Sequence, residues 1–417
     1  MLMFILSALA AAPTYCPALA KEGFIEGDGR TYAKWEVNSN FRLSAEQIDA
    51  VQRFVAAFGE ESMRLVVAVV PPRPAVDPSP ILVKGSPYDR DDAIRQYRGT
   101  LRWLARAGAV PVDLLDAAMT LTETPFFFPV DDHWTPAGAW ETAKRVKAAV
   151  AALPEYGAIP KMEWVTTLSE TVAEGSGVTK RCGAGVGEIT IPVYVTEPKN
   201  GGSASLLDDT PPPRIVHVGS SLSGGRLNFG GFLRQELERD VMSVPVAGGR
   251  ALSAMATWLS SDEYRASKPK IVIWEMELGH LYWPGKPDAP STLDADYFRE
   301  VVPMVHGDCG ATALAAQTST LSGGEMQLLA VPKGVSAAGT GWWLVLDGGA
   351  LSLAGASVKT TYADGSDTHT LADYGRVEEH GPRFLELAPE RVGRLQRVAL
   401  VSELPLAGAL TTRLCHR

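Results

Sequence analysis

The feature that most constrains the fold is an alternation of apolar runs with amphipathic stretches between residues 44 and 283. After its first arginine, the run RLVVAVVP at 64–71 is wholly apolar, which is typical of a strand buried on both faces of a sheet. Helical patterns separate it from similar runs near 109–114 and at 214–218, 241–247 and 270–277. This alternation predicts an α/β fold with a largely parallel sheet and helices on both faces. Ligands of such sheets bind beyond the carboxyl ends of the strands.

The pattern changes in two places along the chain. After about residue 305 the helical period disappears, and short strand-like runs between Gly, Asp and Pro turns predict an all-β sandwich. Residues 154–212 contain one clear strand, EITIPVYVTE, and a stretch rich in Gly, Ser and Pro. We therefore expect two domains, at 13–305 and 306–417, with a loop-rich insertion at about 154–212.

The first twenty residues, MLMFILSALAAAPTYCPALA, hold an apolar run of signal-peptide length followed by small residues, which predicts export. Candidate cleavage sites lie after Ala10 to Ala12 and after Ala20, and we take residues 1–12 as the remnant of a signal peptide. No later segment reaches the roughly 18 uninterrupted apolar residues that span a bilayer.

The chain has 4 cysteines, none of them in metal-ligand spacing. Disulfides persist in exported proteins, so we expect the nested pairs Cys16–Cys182 and Cys309–Cys415. This pairing requires signal cleavage before Cys16. Free buried thiols in an unexported protein are the alternative.

The net charge of −9 argues against general nucleic-acid binding, which needs clustered Lys and Arg to meet the phosphates. We expect no nucleic-acid partner. A polyanionic ligand would need a local basic patch, for which Lys180, Arg181 and Arg226 are weak candidates.

Two stretches carry side chains suited to acyl transfer. In RIVHVGSSLSGGRLNFG, a predicted strand ends at Gly219, and a turn with three serines leads into a helix. A serine there can point out of the sheet edge, close to backbone N–H groups that stabilise an oxyanion. In PVDDHWTPAGAW, Asp131 and His133 follow another predicted strand near 109–114. We predict that both stretches meet at one sheet edge as a Ser-His-Asp triad.

Other interpretations stay open for each stretch. A serine-rich turn is often only a turn, and Asp-x-His is often a solvated or capping pair. Asp131, Asp132 and His133 are a candidate set of metal ligands, but no second His or carboxylate cluster complements them. We expect neither a metal nor a dissociable cofactor. Thr135-Pro136 is typical of a helix start.

The combination of DDHWTPAGA, HVGSSLS and PKIVIWEMELGHLYWP resembles the periplasmic alginate O-acetyltransferases, and the resemblance covers nearly the whole chain. It implies an SGNH-hydrolase-like catalytic domain and a carbohydrate-binding β-sandwich. The implied activity is transfer of acetyl groups to hydroxyls of an anionic, alginate-like polysaccharide in the periplasm. Other proteins of the acetylation machinery would supply the acetyl donor, and export-complex proteins are implied partners. We expect the protein itself to be a monomer.

The resemblance also assigns the reacting residues. The family's Asp-x-His pair falls on Asp131 and His133, with Asp132 at the variable position between them. The family's Gly-Asp-Ser block reads Gly219-Ser220-Ser221 here, so Ser221 is the implied nucleophile and Ser220 replaces the aspartate.

Several assignments around the nucleophile stay open. Ser220 and Ser223 are alternative nucleophiles. Backbone N–H groups after Gly219 are the first candidates for the oxyanion hole, with Gly219 and Ser220 as supporting residues. The candidates for substrate contact are Trp134, Arg250, His280 and Tyr282. Among them, Arg250 is suited to a uronate carboxylate, which a guanidinium binds with two hydrogen bonds.

Trp342 and Trp343 suggest sugar stacking in the β-sandwich. Side chains alternate along a strand, so one of them must face the core and at most one is a sugar platform. Two other functions compete with the transferase. An esterase would use the same triad with water as the acceptor, and a glycan-binding scaffold would have no activity.

Overall fold

The computed structural model describes residues 15–417 except 38, 78–87, 122, 200–211, 249–251, 282–291, 334–336, 339–340, 350, 354, 373–380 and 388–391. The predicted signal-peptide remnant at 1–12 lies outside this part of the chain, as do Arg250 and Tyr282. None of the helices in the described ranges is long and apolar enough to cross a membrane.

Helices and strands alternate up to residue 306, and the chain then continues mainly as strands. The helices are α1 (Pro17–Lys21), α2 (Ala45–Glu60), α3 (Arg73–Val76), α4 (Arg90–Ala107), α5 (Leu115–Thr120), α6 (Pro136–Val150), α7 (Pro154–Gly157), α8 (Gly177–Cys182), α9 (Phe229–Leu237), α10 (Ser253–Leu259), α11 (Asp262–Ala266), α12 (Leu278–Leu281) and α13 (Thr292–His306).

The strands follow the same chain order. They are β1 (Ile25–Gly27), β2 (Arg30–Tyr32), β3 (Arg64–Val70), β4 (Val110–Asp113), β5 (Trp164–Gly175), β6 (Glu188–Pro198), β7 (Ile215–Gly219), β8 (Val241–Pro245), β9 (Ile271–Glu277), β10 (Ala315–Leu321), β11 (Gly324–Ala330), β12 (Ala337–Ala338), β13 (Trp342–Asp347), β14 (Ser357–Tyr362), β15 (Asp367–Leu371), β16 (Arg383–Glu386), β17 (Val392–Gly393), β18 (Leu395–Ser402) and β19 (Gly408–His416).

A five-stranded parallel sheet in the order β4-β3-β9-β7-β8 forms the centre of the first region. Alternate side chains of β3 enter two different cores. Val67 packs with α2, α4, α10 and α13, whereas Val66 packs with α6 and α9 on the other face. Both side chains are fully buried, which is why the sequence of β3 is continuously apolar. The predicted parallel sheet with helices on both faces is confirmed.

The predicted insertion contains more regular structure than its sequence indicates. Besides the expected β6, it has the long strand β5, and the two strands pair antiparallel from Trp164↔Pro198 to Gly175↔Glu188. The prediction of a single strand here was wrong, because β5 is largely exposed and lacks apolar alternation. Tyr194 attaches the ribbon to the first region by packing edge-on against Trp140 of α6 and Phe232 of α9.

The last hundred or so residues form two antiparallel four-stranded sheets, in the orders β10-β19-β13-β16 and β11-β18-β14-β15. The predicted sandwich is therefore present. Trp342 packs into its core, as alternation predicts. Trp343 points the other way, where it stacks on His306 of α13 and donates a hydrogen bond to the carbonyl of Gly307. Both indoles are largely buried and both border a cavity of about 350 Å³, so a sugar-stacking role for one of them stays a prediction.

Two disulfides, Cys16–Cys182 and Cys309–Cys415, join distant parts of the chain, and both are the predicted pairs. Cys16–Cys182 ties the N-terminal helix α1 to α8 in the insertion. Cys309–Cys415 ties the segment after α13 to the last strand of the sandwich.

Candidate active site

The Asp-x-His pair lies in the loop between α5 and α6. Phe127 and Trp134 form an isolated antiparallel β-bridge, and the amide of Phe128 donates to the carbonyl of His133 at 3.0 Å. The predicted strand, β4, does not lead directly into Asp131, because α5 lies between them. The loop ends at Thr135, whose hydroxyl accepts a hydrogen bond from the amide of Gly138 and starts α6 as predicted.

The serine turn follows β7 directly. The strand ends at Gly219, and Ser221–Ser223 form one 3₁₀ turn. A Cβ at residue 219 would lie 2.5 Å from Ser223 Oγ and 2.7 Å from Glu275 Oε2. Since atoms cannot approach so closely, a larger residue at the end of this strand would displace the turn.

Asp131, His133 and Ser221 form one hydrogen-bonded relay. His133 Nδ1 lies 2.5 Å from Asp131 Oδ1, and His133 Nε2 lies 2.9 Å from Ser221 Oγ. The second carboxylate oxygen of Asp131 accepts a hydrogen bond from the amide of Gly177 at 2.9 Å, so α8 of the insertion helps to fix the carboxylate. This order of contacts suits a serine nucleophile, a histidine base and an orienting carboxylate.

The alternative nucleophiles are placed differently. Ser220 Oγ and Ser223 Oγ both donate to the carboxylate of Glu275, at 3.1 and 3.0 Å to Oε2. Both residues are buried, whereas Ser221 is half-buried and its hydroxyl is the one that contacts His133. The geometry therefore favours Ser221 over Ser220 and Ser223.

Glu275 in β9 lies in the stretch PKIVIWEMELGHLYWP that carries the family resemblance, but it was not assigned to the site from the sequence. Its Oε2 accepts a hydrogen bond from the amide of Ser220 at 2.7 Å. That amide is therefore occupied and is not available to an oxyanion, while the role of the other backbone N–H groups after Gly219 stays a prediction. Ser220 instead supports the turn, because its hydroxyl also accepts from the amide of Leu222. Burial raises the pKa of Glu275, although the hydrogen bonds from Ser220 and Ser223 oppose that shift.

A buried histidine completes the support beneath the turn. His217 Nε2 lies 3.1 Å from Ser223 Oγ, and its Nδ1 lies 2.8 Å from Ser243 Oγ. Burial lowers the pKa of His217 to about 3, so this imidazole is neutral and acts as a structural hydrogen-bonding group.

Two carboxylates act on His133. Besides Asp131, Asp132 Oδ1 lies 3.1 Å from the same Nδ1 atom. Burial alone would lower the pKa of His133, but hydrogen bonds to the two carboxylates and their charges raise it to about 10. The bonded imidazolium therefore contributes stability that is complete below the ordinary pKa of 6.5 and is lost as the pH rises through about 10.

The metal hypothesis rests on Asp131, Asp132 and His133, whose ligand atoms lie within 4.8 Å of one another. Both ring nitrogens of His133 have hydrogen-bonding partners, Asp131 and Ser221. A metal on this histidine would have to replace one of these contacts, so the donor set fits the relay better than a metal site.

A cavity of about 150 Å³ lies over the relay and is bordered by Ser221, His133, Asp132, Gly248 and Glu277. Burial raises the pKa of Glu277 well above its usual range, and the nearby carboxylates of Asp132, Glu36 and Glu275 add to the shift. A serine hydroxyl, an imidazole and a carboxyl group that favours its protonated form therefore border one cavity.

Arg73 holds the base side of the site and was also missed by sequence reasoning. Its guanidinium donates to both oxygens of Glu36, at 2.7 and 2.9 Å, and to the carbonyls of Phe128 and Pro129. It also donates to the carbonyl of Thr31 in β2. The arginine therefore links the N-terminal hairpin to the loop that carries His133. Its place after a buried strand in VVPPRP gives no sign of these partners.

The structure describes only two of the four residues predicted to contact substrate. Trp134 is fully buried and packs against Phe126 and Phe229, so the prediction that it contacts substrate was wrong. An indole next to His133 in sequence can face the core, and here it anchors the loop. His280 lies in α12, directly after β9, and its role stays a prediction. Arg250 and Tyr282 lie outside the described residues.

The proposed basic patch does not form from its three candidates. Arg181 pairs with Glu22 at 2.6 Å, and Arg226 pairs with Glu174. Lys180 is exposed on α8. The charges of the two arginines are thus largely compensated.

Residues 31–278 match the family described as SGNH hydrolase-like domain, acetyltransferase AlgX, and the match covers more than half of the 417 residues. The chain belongs to this family. The shared region contains the whole relay together with Arg73 and Glu275.

Individual relatives agree with this assignment. The alginate biosynthesis protein AlgX of Pseudomonas fluorescens is 31% identical over 319 residues, which cover 73% of this chain and 63% of that protein. The matched part is therefore less than two thirds of the relative's length.

Two solved structures share the fold. Pseudomonas aeruginosa AlgX has a TM-score of 0.76 at 20% identity, with 96% of this chain and 99% of that chain covered. The O-acetyltransferase domain of Pseudomonas putida AlgJ has a TM-score of 0.53 at 23% identity, with 67% and 99% covered.

Proposed function

We propose that the protein is an O-acetyltransferase that moves acetyl groups onto hydroxyls of an exported acidic polysaccharide, with alginate as the first candidate. One observation carries the proposal: His133 contacts Ser221 and Asp131 at 2.9 and 2.5 Å in a chain of an acetyltransferase family. The choice of alginate is supported by the names of the relatives, which are alginate biosynthesis proteins.

The reaction is a double displacement on Ser221. His133 Nε2 takes the hydroxyl proton as Ser221 Oγ attacks the acetyl carbonyl carbon, and the donor's leaving group departs with that proton. The acetyl group is then an ester of Ser221. A sugar hydroxyl next gives its proton to His133 and attacks the same carbonyl, which releases the acetylated sugar and restores Ser221.

The protonation state of His133 sets the pH dependence. Only the neutral imidazole can accept the serine proton, and the carboxylates beside it raise its pKa to about 10. Activity of the free enzyme is therefore expected to rise with pH across the neutral range.

The competing hypotheses share parts of this account. An esterase would use the same relay with water as the second acceptor, and the difference lies in how far the cleft excludes water. A scaffold without activity has no need for a bonded Asp131-His133-Ser221 relay over an open cavity.

Export is part of the proposal. Cys16 is bonded to Cys182, and disulfides persist in the periplasm. Cleavage after Ala20 would remove Cys16 and cut α1, where Leu19 is fully buried. Cleavage before Cys16 therefore fits the fold better. Acetyl donation and export partners are inferred from the family resemblance.

The function is tested by incubating the protein with nitrophenyl acetate and mannuronate oligomers and following the products by mass spectrometry. Acetylated oligomer that disappears in Ser221→Ala and His133→Ala supports the transferase. The exposed His369 of β15 offers a matched control, His369→Ala, which should retain full activity. Free acetate alone would indicate an esterase, and absence of turnover would indicate a scaffold.

A further inference from the structure

A second cavity, of about 270 Å³, lies beside the relay and has no part in the reaction described above. Its walls come from the segment between Glu22 and Glu36 and from α8. The Cys16–Cys182 disulfide ties α1, which directly precedes the first of these walls, to α8. Arg73, which is nine-tenths buried or more, lines the cavity and holds the N-terminal wall through Glu36. The cavity is therefore built from elements that are fixed to one another.

This cavity adjoins the cavity that contains Ser221. Asp132 borders both of them. A smaller cleft bordered by Trp35 and Glu277 adds a second connection, because Trp35 also lines the second cavity and Glu277 also lines the Ser221 cavity. A chain molecule that places one unit over Ser221 can therefore place a neighbouring unit here.

Among the charged side chains that line the second cavity, one cationic group can bind an anionic ligand. Its acidic side chains already have partners, and the pairs are Glu22–Arg181 (2.6 Å), Glu36–Arg73 (2.7 Å), Asp131–His133 (2.5 Å) and Asp132–His133 (3.1 Å). Lys34 is exposed and has no ion pair within the described part of the chain. An anionic group can therefore bind Lys34 without displacing an existing partner.

Trp35, the next residue, is half-buried and lines the same cavity. An indole presents a broad apolar face, which can pack against the C–H face of a pyranose ring. An ammonium group beside it can form a charge-assisted hydrogen bond to a carboxylate. A uronate sugar carries both of these features on one ring.

We propose that Lys34 and Trp35 form a subsite for a uronate residue adjacent to the sugar that is acetylated. The proposal rests on the proposed transferase function, and it gives the acidic polymer a second binding position beside the one at Ser221. Trp35 supports the ring, and Lys34 binds the carboxylate. No bond of the sugar is formed or broken at this subsite.

Kinetics on oligomers of different charge test the subsite. Lys34→Met is expected to raise KM for a long oligomannuronate about tenfold, equal to about 1.4 kcal/mol, with kcat little changed. Nitrophenyl acetate hydrolysis and the KM for an uncharged mannose oligomer should not change. Trp35→Ala should raise KM for both oligomers, and Trp35→Phe should restore most of the loss. Lys21→Met, at an exposed lysine of α1 outside the cavity, is the matched control.

Binding separates this proposal from the transferase proposal. Oligomannuronate is titrated calorimetrically into Ser221→Ala and into Ser221→Ala with Lys34→Met. Weaker binding in the double variant supports the subsite even if no acetylated sugar forms, and in that case only the transferase function fails. Equal KM and equal binding with and without Lys34 would overturn the subsite while leaving acetyl transfer intact.

Discussion

The loop that carries His133 and the turn that carries Ser221 meet at a hydrogen bond of 2.9 Å, but they are fixed in different ways. The base and its orienting carboxylate are neighbours in sequence: Asp131 bonds both the ring and the amide of His133, and Phe128 closes the turn, while the more distant Arg73 and Gly177 hold the loop from outside. The serine turn depends on Glu275, which lies 55 residues away from Ser220 in the chain.

This difference explains which side of the site can be recognised in a sequence. A base and its orienting carboxylate that are two residues apart leave a visible motif. A turn held by a distant buried carboxylate does not. The two sides should also respond differently to substitution, since the base side determines proton transfer and the serine side determines the position of the nucleophile.

The largest effect is expected at the orienting carboxylate of the base side. Asp131→Asn keeps the shape but removes the charge that stabilises the imidazolium, so kcat for ester hydrolysis should fall by roughly 10⁴-fold. Steady-state kinetics with nitrophenyl acetate measure it. Asp116→Asn, at an exposed aspartate paired with Arg98, is the control. A loss of less than about tenfold would mean that Asp131 does not orient the base.

On the serine side, Glu275→Ala removes the carboxylate that accepts hydrogen bonds from the Ser220 amide and from the hydroxyls of Ser220 and Ser223. A misplaced Ser221 should lower kcat by about 10²-fold with KM for the donor little changed. Glu275→Gln keeps one acceptor oxygen and should recover part of the rate. An unchanged kcat in a folded Glu275→Ala protein would show that the turn does not need this carboxylate.

Substitution of Asp132, the second carboxylate beside His133, should change the rate less than the two substitutions above and should increase it. Asp131 and Asp132 together raise the pKa of His133 to about 10. Asp132→Asn removes one of these two charges, so the pKa should fall and more neutral imidazole should exist at pH 7. Each decrease of one pH unit in the pKa of His133 should increase the rate at pH 7 by up to about tenfold. The pH profile of kcat/KM measures the shift. A slower enzyme with an unshifted profile would contradict this role.

The smallest effect concerns the start of α6. Thr135→Ala removes the acceptor for the amide of Gly138 and a donor to the carbonyl of Pro125. The free energy of unfolding should fall by about 1 kcal/mol, as for other helix caps. Urea titration measures this change, and kcat should fall far less than in Asp131→Asn. A drop in kcat as large as that of Asp131→Asn would show that the cap itself fixes His133.

The sequence predicted the fold well because each core strand is locally apolar. It failed for β5, whose pairing with β6 needs no apolar alternation in an exposed ribbon. In the site, Asp131 and His133 stood out as a short motif, whereas Ser221 was singled out among three serines by the family resemblance. Trp134 was assigned wrongly, because a motif does not show which way a side chain points.

The supporting residues could not be predicted for another physical reason. Arg73 and Glu275 act through contacts with residues far away in the chain, and their local sequences are those of ordinary strand ends. Only the fold brings these charged groups beneath the loop and the turn.

The central claim is that Ser221 carries the acetyl group between donor and sugar. The most direct measurement is peptide mass spectrometry after brief mixing with nitrophenyl acetate, followed by addition of oligomannuronate. The account predicts acetyl on the peptide that contains Ser221, and its transfer to the sugar when the oligomer is added. Acetylated sugar that still forms in Ser221→Ala, or acetyl found on another residue that transfers it, would contradict the account.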